Sequence, residues 1–421
     1  MTADHETSPT GLPSLAGVPW LAAPSSRAVL AALRAAGHEG RFVGGAIRNT
    51  LLQLPVSDLD IATTASPDVV LEACAKAGLA AAPTGLDHGT VTVIAARTPI
   101  EVTTLRRDVA TDGRHATIAF TEDWAEDAGR RDFTMNALYC DAEGRLYDFV
   151  DGYPDLVARR VRFIGDADER IAEDYLRILR FFRFHASYAT GPLDPVALAA
   201  CERGVFGVGR LSAERIRAEL VKLLVAPRAV DAVRAMQEIG LLAAVLGGAP
   251  RIDVMADLVA AENAAGETGD AMLRLSGLAV ATRADIPRIA NRLRLSSRER
   301  KALLVVGQET VGALGAVDAR RAREVVFREG TATARRLALT LATVAPERKD
   351  EALRLLETAA TWRAPVFPVS GADLIARGLP PGPALGKLLA EIKDWWIAQD
   401  FPPRDTTLRH LEARAGPGAA N

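Results

Sequence analysis

At 421 residues the chain is long enough for two or more domains, each with its own core. Its 51 Lys and Arg against 53 Asp and Glu leave a net charge of −2, which excludes a generic polyanion binder, so any nucleic-acid contact must come from local patches. The 3 cysteines, Cys74, Cys140 and Cys201, stand in no CxxC or zinc spacing; a disulfide framework or metal cage is not indicated, and the composition suits a reducing cytoplasm.

Residues 1–25 read as a disordered lead. Its start, MTADHETSPTGLPS, lacks the basic end and apolar run of a signal peptide, and no apolar stretch along the chain is long enough to span a membrane. An Ala-, Leu- and Arg-rich helix is predicted over 26–37, ending at Gly37. From about 41 to 150, β-branched runs (Thr90–Ile94, Ile100–Thr104) alternate with helices such as 67–77. Beyond about 155 strand signals nearly vanish, and helical periodicity is broken only at Gly/Pro points such as 191–192, 247–250 and 380–383. The expected fold is an α/β head followed by a long all-α portion, with GPGAAN as a frayed end.

Two stretches carry chemistry. Val43-Gly44-Gly45-Ala46-Ile47-Arg48 reads as a glycine turn entering a helix, and Asp58-Leu59-Asp60 follows on a short strand. A Gly-Gly pair is often only a turn, and an Asp-x-Asp pair is often a cap or surface feature. In this order and this close they suit nucleotidyl transfer. Bare backbone N–H groups at the helix start hold phosphate, Gly45 lets the backbone approach, and Arg48 neutralises charge. Side chains at i and i+2 of a strand share a face, so Asp58 and Asp60 would bind Mg²⁺ between them. Glu101, an acid inside the apolar run Ile100-Glu101-Val102, is a third carboxylate of that site or else faces water from an edge strand. In Arg130-Arg131-Asp132-Phe133-Thr134-Met135-Asn136, the two arginines and Asn136 suit triphosphate and ribose contacts; otherwise Asp132 or Thr134 merely caps a helix. His88, in the loop 84–90, is more simply structural than substrate-binding, and Asp148–Gly152 reads as a turn closing the head.

The second stretch is a helix predicted over 173–184, with Asp174, Arg177 and Arg180 three residues apart on one face. Structural i,i+3 salt bridges are the plain explanation. The functional one is base selection: cytosine and adenine each show an exocyclic amine donor beside a ring-nitrogen acceptor, matching a carboxylate and a guanidinium, whereas guanine and uracil show the reverse. Farther on, Arg320, Arg321, Arg323, Arg328, Arg335 and Arg336 form a basic run that is either an RNA patch or a solvated face.

The segments GGAIRN…DLD, RRDFTMNA, DFVDG, EDYLRILRFFRF and LSAERIRAEL resemble, in this order, the motifs of the class II tRNA nucleotidyltransferases, the CCA-adding enzymes and the related bacterial poly(A) polymerases. The resemblance is strong over about 40–225 and continues weakly through GADLIARGLPPGPALGKLL. It implies a polymerase-β-like head sheet (26–153) followed by an all-α neck (154–228), body (229–310) and tRNA-binding tail (311–421). It implies metal ligation by Asp58 and Asp60; nucleotide contacts by Gly45, beside Gly44, and by Arg48 and Arg131; base-edge contacts by Asp174 and Arg177; and nearby contacts by Arg180 and Arg183. Ser212 looks like a helix N-cap, so the last motif is expected to support the neck rather than touch substrate. The family usually has Asp where this chain has Asn49. The segment TGLDHGTVTV resembles the CCA-adding type. The implied reaction is addition of C, C and A to the tRNA 3′ end from CTP and ATP, with Mg²⁺ and release of pyrophosphate, in the cytoplasm and away from membranes. The alternatives are a poly(A) polymerase, a partial CC- or A-adding enzyme, and an RNA-binding protein with an inactive head.

Overall fold

The protein, seen in a computed structural model, is described over residues 11–111 and 116–415. It divides into two compact units meeting at Gly248 and Ala249. Residues 1–10 of the expected lead, and the GPGAAN end, lie outside the described residues. Residues 11–25 are not the disordered lead expected of them. Leu15 is buried and its N–H donates to the Gly144 carbonyl at 2.8 Å. The Trp20 indole N–H donates to Thr50 Oγ1 at 2.8 Å, and its ring meets Phe42 edge-on. Burial of Leu15 and the packing of half-buried Trp20 order this mostly apolar segment. The first long helix therefore starts at Pro24 and runs to Ala35, with Pro at the position where its missing N–H costs nothing.

The head is built on a 7-stranded sheet in the order β3-β4-β5-β2-β1-β8-β9. These are β1 (Gly40–Val43), β2 (Asp60–Thr63), β3 (Ala80–Gly85), β4 (Thr90–Ala95), β5 (Thr98–Thr104), β8 (Leu138–Cys140) and β9 (Leu146–Asp148); β6 (Arg106–Thr111) and β7 (Ala116–Phe120) form a separate ribbon. Period-two alternation sets the faces. Val91 and Val93 of β4, and Ile100 and Val102 of β5, are fully buried. The helices Pro24–Ala35 and Pro67–Lys76 pack on this side of the sheet. The residues between them, Thr92 and Glu101, are register partners on the opposite face. β2 runs parallel to β5, and their register sets Asp60 opposite Glu101.

After β9 the first unit is helical, as the loss of strand signals implied. The expected helix over 173–184 is instead two: Ala167–Glu173 and Leu176–Tyr188. Asp174 between them is extended, at φ −154° and ψ 104°. It leaves the helix to accept the Leu176 N–H on its own carboxylate at 3.1 Å, a local bond with which Asp competes against helix. Leu176–Tyr188 packs on Ala213–Leu224 and Ala229–Glu238. Its Phe181 and Phe184 reach Phe133 of the head with ring centroids 6.4 and 5.1 Å away.

Among the described residues the second unit is all helical. One core gathers residues such as Leu258, Leu273, Val325 and Leu355; a smaller one gathers Val369, Leu374, Ile392 and Leu411. The helix Pro383–Ala398 starts at the expected Gly/Pro break. The basic run is tied up in ion pairs: Arg321 with Glu324 at 3.1 Å, Arg323 with Asp400 at 2.5 Å, Arg328 with Asp394 at 2.9 Å, Arg335 with Glu267 at 2.5 Å and Arg336 with Asp270 at 2.7 Å, while Arg320 lies 3.7 Å from Glu324. Glu324 lies within the run and Glu267, Asp270, Asp394 and Asp400 outside it, so the run is charge-balanced, as a solvated face would be. Among the described residues no helix is long and apolar enough to cross a membrane. Cys74, Cys140 and Cys201 are buried and free.

Candidate active site

The site begins at the end of β1. Gly44 adopts φ 74° and ψ −116°, a conformation that side chains resist, and delivers the chain into the helix Gly45–Leu51. One turn in, Arg48 is only 7 % exposed. Its guanidinium donates to Asn136 Oδ1 at 2.5 Å, Tyr188 OH at 2.9 Å and Asn49 Oδ1 at 3.0 Å, and lies over the Tyr188 ring. All of these partners are neutral. Among the described residues no carboxylate pairs with Arg48, and burial is the main cause that lowers its pKa. A guanidinium stays charged regardless, so this is a desolvated cation with no directly paired carboxylate, eased only at a distance by Asp132. Asn49 Nδ2 in turn donates to the Pro55 carbonyl at 2.8 Å, a bond that an Asp at this position cannot make. Asn49 thereby ties Arg48 to the loop that leads to Asp58.

Asp58 and Asp60 do not share a strand as expected. β2 starts at Asp60, and Asp58 is exposed before it, accepting from Ser57 Oγ at 2.9 Å. Glu101 is exposed too, yet on an interior strand rather than an edge, since β5 lies between β4 and β2. The Glu101 N–H donates to the Leu59 carbonyl at 3.1 Å and so holds the acidic loop against β5. Burial raises the Asp60 pKa, Glu101 and Asp58 raise it further, and Arg131 opposes them. Among the described residues no group of three or more acids, histidines and cysteines forms a metal cage by itself. The donor set is two or three carboxylates with an unmet negative potential. It fits a divalent ion that takes one or two carboxylates and completes its shell with substrate phosphates.

The remaining cations are aimed by buried acids. Asp127, 1 % exposed, accepts from Arg130 at 2.6 Å, Arg131 at 2.9 Å and Tyr139 OH at 2.7 Å. Burial alone would raise its pKa, but the two arginines and the tyrosine bring it to about 2. Asp132 pairs with Arg180 and accepts from Asn136 Nδ2 at 3.0 Å. It is thus a structural counter-ion more than a cap, and Thr134 donates to buried Asp155 rather than capping. Glu173 holds Arg177, Glu219 holds Arg183, and Asp174 pairs with Arg215 at 2.7 Å.

These elements enclose a cleft of about 390 Å³ within the first unit, the size range of small-ligand sites. Gly44, Gly45, Arg48, Asp60, Arg131 and Asn136 line it from the head, and Asp174, Arg177 and Arg180 from the neck helices. Asp58, Glu101 and Arg183 do not line it. Arg130 lines it as well, and so do Asp132 and Arg215, which were not expected there. Ser212 caps the helix Ala213–Leu224 as expected, accepting from the Arg215 N–H, and the Arg215 side chain reaches the cleft wall while paired with Asp174. Asp127 was missed in the sequence, although its i,i+3 and i,i+4 spacing to Arg130 and Arg131 was a signal that could have found it. The Arg215–Asp174 and Arg183–Glu219 pairs bridge different helices and left no local signal.

Comparison with known proteins finds relatives of the chain. The family described as poly A polymerase head domain matches residues 40–162, and the one described as probable RNA and SrmB-binding site of polymerase A matches 193–254. The CCA tRNA nucleotidyltransferase 1, mitochondrial, of Mus musculus is 34 % identical over 374 residues, 85 % of this chain and 83 % of its own. The CCA-adding enzyme of Limosilactobacillus fermentum is 29 % identical, covering 89 % and 94 % of the two chains. The crystal structure of the Bacillus stearothermophilus CCA-adding enzyme in complex with CTP aligns with a TM-score of 0.68 at 26 % identity, over 89 % of this chain and 92 % of that one.

Proposed function

The chain belongs to the CCA tRNA nucleotidyltransferase family, and from that premise we propose how its residues work. It is a nucleotidyltransferase that adds C, C and A to the 3′ end of tRNA from CTP and ATP, releasing pyrophosphate. The observation that carries the site assignment is buried Arg48, a cation with only neutral partners facing a cleft of further guanidiniums. A triphosphate supplies the charge that Arg48 lacks.

In this reading the metal is Mg²⁺, held by Asp58 and Asp60 with Glu101 beside them. When bound it neutralises the triphosphate and lowers the pKa of the attacking 3′-hydroxyl. Arg131, fixed by Asp127, and Arg180, fixed by Asp132, meet the phosphates without reorganising, because their counter-ions already hold them. Asn136 is pinned between Arg48 and Asp132 and orients the ribose side. Asp174 and Arg177 read the base edge. Asp174 retains lone pairs beyond those used by Leu176 N–H and Arg215. Arg177 bonds its neighbours through Nη1 and Nη2, leaving Nε–H for a ring nitrogen. Gly44 and Gly45 give the phosphates close approach. We assign 26–153 as head, 154–228 as neck, 229–310 as body and 311–421 as tail, with tRNA read mainly by shape. We place the protein in the cytoplasm, where free cysteines persist.

The poly(A) polymerase match over 40–162 keeps one rival in view. Purified protein, CTP, ATP and a tRNA lacking its terminal CCA decide between them. Extension by C, C and A is expected; a long A tract, or arrest after CC, overturns the full CCA reading.

A further inference from the structure

Between the helix Pro195–Gly204 and Ser212 lies the short 3-10 segment Val205–Arg210. Phe206 on it is 70 % exposed, against 49 % for Phe120 and 40 % for Phe149, so a whole phenyl face meets water. The Phe206 ring stands edge-on to Tyr175, centroids 5.7 Å apart. Tyr175 is buried, and the segment closes on it because Gly207 has no side chain; a Cβ there would fall 2.1 Å from the ring. The residues on either side of Tyr175, Asp174 and Leu176, line the cleft. Phe206 is therefore one aromatic ring from the catalytic wall.

Arg210 completes the surface. Its guanidinium lies 5.6 Å from the Tyr175 ring centroid and 6.0 Å from that of Phe206. It is exposed, and among the described residues no carboxylate pairs with it, unlike Arg203 with Asp168 or Arg215 with Asp174. An exposed ring beside an uncompensated cation has the composition of a single-strand nucleic-acid platform, where bases stack on aromatics and a guanidinium meets the backbone. Stacking accepts every base, because each has a π-face. That tolerance suits an RNA end whose last base changes at each addition.

We propose that Phe206 and Arg210 form a platform on which an unpaired nucleotide at the 3′ end of the RNA substrate stacks, with Arg210 on its phosphate. The proposal rests on the nucleotidyltransferase reading for the identity of the RNA. Neither residue touches the incoming nucleotide in this account; both position the primer.

The test compares wild type with Phe206→Ala, Phe206→Leu, Phe206→Tyr and Arg210→Ala. Initial rates are taken with varied tRNA lacking CCA and with varied CTP. Binding is followed separately through 2-aminopurine at the RNA 3′ end. The expected result is a KM for RNA raised about tenfold or more in Phe206→Ala and Phe206→Leu, with KM for CTP unchanged. Phe206→Tyr should restore it. Arg210→Ala should reduce the slope of log affinity against log salt by about one. Quenching of 2-aminopurine should appear with wild type and Phe206→Tyr only. Unchanged RNA KM and quenching in Phe206→Ala overturns the platform. So does full rescue by Phe206→Leu, which would mark an apolar contact for packing or for a protein partner. Equal effects on CTP and RNA overturn it as well, by marking a structural role. Should Phe206→Ala not fold, Phe206→Leu and Arg210→Ala carry the decision. Should wild type extend no RNA, the catalytic reading fails, and the quenching series alone decides the platform.

Discussion

The arginines of the cleft and those of the second unit look alike in sequence but differ in what compensates them. In the second unit, Arg335 and Arg336 meet Glu267 and Asp270, and Arg323 meets Asp400. Each charge is balanced by its neighbour, and the half-exposed pairs are worth little. In the cleft, Arg131, Arg177 and Arg180 are also held by acids, but Arg48 is buried among amides and a phenol. Paired arginines give shape; a buried unpaired one marks where an anion belongs. Counting arginines along the chain therefore does not tell balanced charges from unbalanced ones.

The acids provide the largest test. Asp60→Ala should lower turnover by several orders of magnitude, since an electrostatic loss of several kcal/mol is involved. Near-normal single-turnover rates would end the metal assignment. Stability should move the other way. The Asp60 pKa is raised in the folded protein, chiefly by burial and then by Glu101. Such a group favours the fold below the ordinary carboxylate pKa, and that contribution is lost as pH rises through the raised value. Metal-free Asp60→Asn should then melt above wild type at neutral pH, with the gap closing toward acid. A lower melting temperature at neutral pH would contradict the repulsion.

The comparison itself is tested by Arg48→Gln against Arg335→Gln. The first should weaken CTP and ATP use about tenfold to a hundredfold, the value of a charge-assisted contact. The second should leave tRNA and nucleotide KM unchanged and alter melting only slightly. If Arg335→Gln weakens tRNA binding and flattens its salt dependence, the second unit carries an RNA patch after all.

Base choice comes next. Asp174→Ala or Arg177→Ala should raise misincorporation of UTP and GTP relative to CTP and ATP by about tenfold to a hundredfold. Asp174 also holds Arg215, and Arg177 also holds Glu173, so melting curves must accompany the incorporation ratios. Falling stability with unchanged ratios assigns the pair to structure alone. The smallest effect is expected from Asn49→Asp. It introduces a counter-charge beside Arg48 and replaces the donor to Pro55 by an acceptor. We expect KM for both nucleotides to rise by a few fold, about 1 kcal/mol, with less change in kcat. A fall in KM would mean that the Asn49–Arg48 contact limits nucleotide binding in the natural chain.

The sequence by itself determined much. Strand alternation in β4 and β5, the Gly44–Gly45 turn, the shift to helix after β9 and the Ser212 cap all follow from local chemistry within a few residues. So do the families of motif that place the catalytic head. Tertiary structure decided what depended on distant partners. Leu15 and Trp20 order a segment whose composition looked disordered, because Gly144 and Thr50 receive them. Asp174 leaves its helix and meets Arg215, 41 residues on. Glu219 reaches Arg183 across 36 residues, and Asp132 reaches Arg180 across 48. Periodicity reports which face of an element is apolar, but an ion pair between elements needs their packing. That packing decided which arginines are balanced, and left Arg48 and Arg210 without a carboxylate among the described residues.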